Sequence, residues 1–111
     1  MNGISLQRNN CLQTWIVCEN LLAALHQKSL PGQQQLEKVV DECALICMET
    51  WQALSSRCTE ARKLVLLCIG ICEECAEACK PYTDPQVQQC ANWCRRCGDS
   101  FTQLAAALTY G

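Results

Sequence analysis

Cysteine is the residue type in this chain that could do chemistry, because 12 of the 111 residues carry a thiol. Thiolates are soft ligands that bind Cu(I), Zn²⁺ and the iron of iron–sulfur clusters. Many of these cysteines recur at steps of three and four residues, which predicts that they line one face of a helix. The twelve candidate metal ligands are Cys11, Cys18, Cys43, Cys47, Cys58, Cys68, Cys72, Cys75, Cys79, Cys90, Cys94 and Cys97.

The other residues offer few alternatives to metal binding. His26 is the single histidine, which disfavours His-rich metal sites and Ser–His–Asp chemistry, so we predict that the protein is not an enzyme. His26 itself remains a thirteenth candidate ligand. A net charge of −2, with three Trp, two Tyr and one Phe, disfavours a nucleic-acid partner.

Helices must position these thiols, since the apolar and cysteine residues keep a helical period throughout. Breaks at 31–32, 55–59 and 80–85 leave four segments, at about 5–29, 33–57, 59–80 and 85–109. Asp84 before Pro85 is a typical helix start. We therefore predict an all-α fold, an antiparallel up-down-up-down four-helix bundle, as a single domain over residues 1–111.

The inward faces of these helices predict a tube lined with thiols. Eleven cysteines lie on predicted inward lines, and Cys58 lies near a break. The first segment contributes the line Cys11, Trp15, Cys18, Leu22 and Leu25. Alternating the helix directions gives levels along the tube: Cys79 with Cys90, then Cys43, Cys75 and Cys94, then Cys18, Cys72 and Cys97, then Cys47 with Cys68, and last Cys11. Hydrocarbon side chains such as Phe101 are expected to close the lower end, with His26 near the open mouth.

Packing or disulfide bonds alone explain this pattern poorly. Buried cysteine behaves as a small hydrophobe, and eleven of them in place of leucine would cost about 1 kcal/mol each in cavities. A disulfide scaffold is disfavoured by the helical pattern and by an N-terminus that lacks the features of a secretory signal. The longest apolar run, over 64–72, is too short to cross a membrane. We expect a cytoplasmic location, where thiols stay reduced.

Three metal interpretations stay open on the residues alone. An iron–sulfur electron carrier could use Cys72, Cys75, Cys94 and Cys97. The same two Cys-x-x-Cys pairs could hold one structural zinc in a partner-binding module. Multiple Cu(I) ions use the whole set better, because Cu(I) accepts pairs of thiolates and one Cu(I) per thiolate keeps a buried tube neutral.

The spacing resembles that of the cysteine-rich four-helix-bundle copper storage proteins. The stretches 68–79 and 90–97 look like the third- and fourth-helix patterns of that family, and Cys43 with Cys47 looks like its second-helix pair. The resemblance implies storage or sequestration of many Cu(I) ions on inward thiolates, a homotetramer, and copper-donor or copper-acceptor protein partners. It also implies that His26 matches a histidine at the mouth where copper enters.

Overall fold

Four long helices build the fold. The computed structural model describes residues 3–56 and 59–110, with their side chains apart from those of 3, 4, 105 and 107–110. The helices are α1 (Gly3–Leu25), α2 (Gln33–Ser55), α3 (Ala61–Cys79) and α4 (Pro85–Tyr110). Helices α1 and α3 each pack against both α2 and α4, which confirms the predicted all-α four-helix bundle. Over the described residues, none of the helices is long and apolar enough to cross a membrane.

The start of α4 follows the sequence prediction. Asp84 Oδ1 accepts hydrogen bonds from the backbone N–H groups of Gln86 at 2.9 Å and Val87 at 3.3 Å. Pro85 takes the first helical position, where its missing N–H costs nothing. Lys28 Nζ lies 2.8 Å from Asp84 Oδ2, so the cap also ties the α1–α2 connection to the α3–α4 connection.

Helix α1 ends at Leu25, earlier than the predicted boundary near residue 29. The carbonyl oxygen of Leu25, the last residue of α1, accepts hydrogen bonds from two groups outside the helix. These are Gln33 Nε2 at 2.6 Å and the Lys28 N–H at 3.1 Å. Gly32 is the N-cap residue just before α2 and has a φ of 66°, a left-handed conformation that glycine adopts without strain.

The inward line of α1 differs from the prediction. Thr14 and Leu21 are buried, whereas Trp15 and Leu22 are half-buried on the flank. The ring of Trp15 lies 6.3 Å from that of Trp51 on α2. The observed series with Thr14 and Leu21 and the predicted series with Trp15 and Leu22 both keep three- and four-residue steps. The small threonine fits a core of small thiols better than an indole does.

Hydrocarbon closes both ends of the thiol tube rather than one. Phe101 and Val65 are fully buried at the end where α3 begins. At the opposite end, the buried side chains are those of Leu25, Leu36 and Val87. The expected open mouth is therefore wrong, because apolar residues of α1, α2 and α4 cover that end.

Candidate metal centre

Each helix contributes thiols from its inward line, and all eleven described cysteines are free and have no exposed surface. Helix α1 supplies Cys11 and Cys18, and α2 supplies Cys43 and Cys47. Helices α3 and α4 supply the remaining seven, which are Cys68, Cys72, Cys75, Cys79, Cys90, Cys94 and Cys97. The predicted burial of eleven inward cysteines is confirmed. Cys58 lies outside the described residues.

The sulfurs gather into four groups in which all atoms lie within 4.8 Å of one another. Two groups have four members and two have three. The groups are Cys11–Cys47–Cys68–Cys97, Cys18–Cys43–Cys75–Cys94, Cys43–Cys47–Cys72 and Cys75–Cys79–Cys90. Cys43, Cys47 and Cys75 each belong to two groups, so the eleven thiols form one connected set.

Adjacent sulfurs across the bundle are in direct contact. The Sγ atoms of Cys43 and Cys94 are 3.7 Å apart, and those of Cys47 and Cys68 are 3.8 Å apart. Cys18 Sγ lies 3.8 Å from Cys90 Sγ, so α1 meets α4 in the same way. A metal ion could therefore take ligands from different helices with only small adjustments of side chains.

The predicted levels hold for most cysteines, but Cys11, Cys18 and Cys97 each move by one level. Cys18 joins Cys43, Cys75 and Cys94, whereas Cys11 and Cys97 both join Cys47 and Cys68. The helices differ in length, from 19 residues in α3 to 26 in α4, which the predicted levels did not include.

The two predicted Cys-x-x-Cys pairs do not form one four-sulfur site. Cys72 groups with Cys43 and Cys47, whereas Cys97 lies in the group of Cys11. Cys75 and Cys94 do share a group, but their partners there are Cys18 and Cys43. A single cluster on the ligand set proposed for iron–sulfur or zinc is therefore not supported by the geometry.

Burial and hydrogen bonds between neighbouring thiols shift the pKa values of the cysteines. Bonds with Cys43, then with Cys47 and Cys68, together with burial, hold the pKa of Cys72 well above its usual value. Metal binding at such a thiol must displace its proton.

The core holds no protein cation to balance thiolate charge, since every Lys and Arg among the described side chains is at least partly exposed. An uncompensated buried thiolate is costly. The metal-free core is therefore stable with neutral thiols, and ionised thiolates need a bound cation of matching charge. A monovalent soft metal supplies one charge per sulfur.

The structure does not place His26 in any group of thiols among the described residues. This histidine is exposed on the turn that follows α1.

Two buried hydroxyls, those of Thr14 and Thr50, were not predicted from the sequence. Thr14 Oγ1 donates to the Asn10 carbonyl at 2.7 Å, and Thr50 Oγ1 donates to the Ile46 carbonyl at 2.6 Å. Each hydroxyl therefore has a hydrogen-bond acceptor in the carbonyl four residues earlier in its own helix, although it lies beside the thiols.

Comparisons with known proteins agree with this geometry. A search of curated protein sequences found no significant match. Among solved structures, the Cu(I)-bound copper storage protein BsCsp3 has the same fold, with a TM-score of 0.87 and 21% identity over 94% of this chain and 99% of that chain. The family model for Csp, the copper storage protein, matches residues 2–106. The chain therefore belongs to the Csp copper storage protein family.

Proposed function

We propose that this protein stores Cu(I), several ions per chain, on the thiolates inside its bundle. The single observation that carries the proposal is the connected set of eleven buried sulfurs in four close groups. Membership of the Csp family supports copper as the cargo, and a protein of the same fold is Cu(I)-bound.

The proposed ligands follow the four groups. Eleven of the twelve predicted cysteines belong to these groups, including Cys11, which shares a group with Cys47, Cys68 and Cys97. Cys58 stays a prediction. His26 stays a weaker one, because it is exposed and belongs to none of the groups found among the described residues.

The charge balance of the core supports the binding of many Cu(I) ions. Binding of a Cu(I) ion to a thiol releases one proton, so each added ion leaves the charge of the core unchanged when one sulfur is used per ion. Divalent zinc or a single iron–sulfur cluster would use four sulfurs and leave the others idle. The comparisons support neither of these alternatives.

The proposal also includes the location, the oligomeric state and the partners of the protein. We place the protein in the cytoplasm, where thiols stay reduced, and assign it no catalytic role, consistent with a storage family. A homo-oligomer, a tetramer by resemblance, is supported by exposed apolar side chains such as Leu45, Leu66 and Leu67. Copper-donor or copper-acceptor proteins are the expected partners, and residues 1–111 the expected single domain.

A competition titration tests storage. Reduced, anaerobic apo-protein is mixed with the coloured Cu(I) complex of bicinchoninate, and the loss of colour reports the copper taken up. We expect uptake to approach one ion per thiol. Protein whose thiols have been alkylated serves as the control and should take up none. Saturation at one ion per chain would contradict storage.

A further inference from the structure

The outward side of α3 carries an exposed apolar centre between two charged ends. Leu66 is 50% exposed and Leu67 is 55% exposed. Leu45 on the neighbouring helix α2 is 53% exposed and lines a shallow groove together with Leu67. Lys63 lies near the start of α3 and Glu74 near its end, and both are exposed. Exposed leucines on two adjoining helices form a patch of the kind that marks a contact with another protein.

Four exposed residues follow one line along this side of the helix, which we call the outer stripe of α3. They are Lys63, Leu67, Gly70 and Glu74. Their steps are four, three and four residues, so the four positions lie within about 60° of one another around the helix axis. The steps read the same in both directions. A second α3 helix that runs the opposite way therefore presents the same spacing.

An antiparallel copy matches the outer stripe in charge and in size. With a two-fold axis at the level between residues 68 and 69, Lys63 of each chain faces Glu74 of the other. Leu67 of each chain then faces Gly70 of the other. Every pair occurs twice, because the same surface is used on both chains. A parallel copy would instead place Lys63 beside its own equivalent, where like charges repel.

Gly70 leaves space for a large side chain of the second copy. A Cβ atom added at position 70 would lie in open space within the part of the chain that the structure describes. The distance between two packed helices depends on the side chains at their contact, so leucine opposite glycine allows a close approach. Glycine also weakens an exposed helix position relative to alanine. A contact with another subunit explains why glycine stands where a side chain would fit.

We propose that a second copy of this chain docks antiparallel on the outer stripe of α3, an inference that rests on the homo-oligomer part of the proposed function and gives it an interface. The occupant is the chain itself, because charge and size both match under a two-fold axis. Leu45 and Leu66 flank the contact and lose exposed apolar surface to it. A tetramer with two-fold symmetry can contain this contact.

Charge reversal tests the pairing. Lys63→Glu brings carboxylates together across the axis, and Glu74→Lys brings ammonium groups together. An equimolar mixture of the two variants restores both attractive pairs in a hetero-oligomer, and the double variant restores them in its own homo-oligomer. Glu19→Lys is the matched control, because Glu19 is exposed on α1, which packs against α2 and α4. Sedimentation velocity of the reduced, metal-free proteins over a range of concentrations measures association.

We expect each single variant to need about tenfold more protein for half-association than the wild type, because two ion pairs change from attraction to repulsion. The mixture and the double variant should associate as the wild type does, and so should Glu19→Lys. Salt at about 1 M should reduce the difference between the single variants and the wild type, since the Debye length then falls to about 3 Å.

Gly70→Leu tests the fit in size. One subunit has open space for this leucine, so circular dichroism should show at least the helix content of the wild type. Association should be lost, because Leu67 of the second copy would need the same space. Ala23→Leu, at an exposed position of α1, is the control and should associate normally.

The outcomes separate this interface from the wider proposals. An oligomeric wild type with unchanged association in Gly70→Leu and in both charge variants would overturn the α3 interface and leave the homo-oligomer in place. Failure of the mixture to recover association would overturn the antiparallel pairing. A wild type that is monomeric at every concentration would overturn both the interface and the homo-oligomer. Copper uptake by the same samples is measured separately, so the storage function is judged independently.

Discussion

At the scale of single residues, cysteine is a side chain that suits this core in two chemical states. As a neutral thiol it packs as a small apolar group, which allows eleven of them to be buried without metal. As a thiolate it becomes a soft ligand, provided that a cation arrives with it. Its position decides how many metal sites it serves, because Cys43 belongs to two sulfur groups and Cys79 to one.

We predict that Cys43→Ser lowers the copper capacity by about twice as much as Cys79→Ser, because serine is a poor ligand for soft Cu(I) and Cys43 belongs to two groups. The hydroxyl at 43 can donate to the carbonyl four residues earlier, as Thr14 and Thr50 do, so both variants should fold. Competition titration gives the capacity, and circular dichroism checks the helices. Equal losses in the two variants would argue against shared ligands.

At the scale of the elements, one capping residue joins a helix start to the neighbouring connection. Asp84 caps α4 through two backbone N–H groups and pairs with Lys28. The hydrogen bond from Lys28, followed by those from the backbone, lowers the pKa of the Asp84 carboxyl below 3.8. A lowered folded-state pKa stabilises the fold above the unfolded value, and this stabilisation is lost as the pH falls.

Replacement of Asp84 should separate these two roles. Asp84→Ala is expected to lose about 1 kcal/mol of unfolding free energy through the missing cap. Asp84→Asn keeps a good cap but loses the charge, so it should be less stable than the wild type only above about pH 4. Urea unfolding of the reduced apo-protein at several pH values measures both. A difference between wild type and Asp84→Asn that persists at pH 2 would contradict the ion-pair explanation.

At the scale of the whole molecule, the bundle folds around neutral thiols and gains stability when metal arrives. Two apolar ends and a thiol-lined middle form one core. Because the ligands of each group come from more than one helix, bound copper adds links between helices to the packing and hydrogen bonds that already join them. Unfolding would separate those ligands, and binding must therefore favour the folded state.

We predict that Cu(I) raises the midpoint of thermal unfolding in steps as the copper ratio increases. A free copper concentration about a hundred times the dissociation constant adds about 2.7 kcal/mol for each independent site. Scanning calorimetry under anaerobic conditions measures the shift, and excess chelator should reverse it. The Cys43→Ser variant is the internal control and should gain less. An unchanged midpoint in fully loaded protein would contradict binding across helices.

Much of this architecture follows from the sequence, since helical spacing alone places eleven cysteines inside a four-helix bundle. Spacing does not choose between two series of residues that both fit a helical face. The predicted series contains Trp15, whereas the core contains the smaller Thr14. The regrouping of Cys11, Cys18 and Cys97 depends on how the helices pack against one another, which spacing along the chain does not determine.

The three cysteines that belong to two groups have a consequence for how copper moves inside the bundle. An ion held near Cys43, Cys47 or Cys75 can bond to its next sulfur before it leaves the previous one. Migration then proceeds by associative exchange and never passes through a bare aqueous ion. Copper ions therefore redistribute until all occupied positions share one chemical potential. We therefore expect the bundle to behave as a single reservoir, in which every bound ion can exchange with every other.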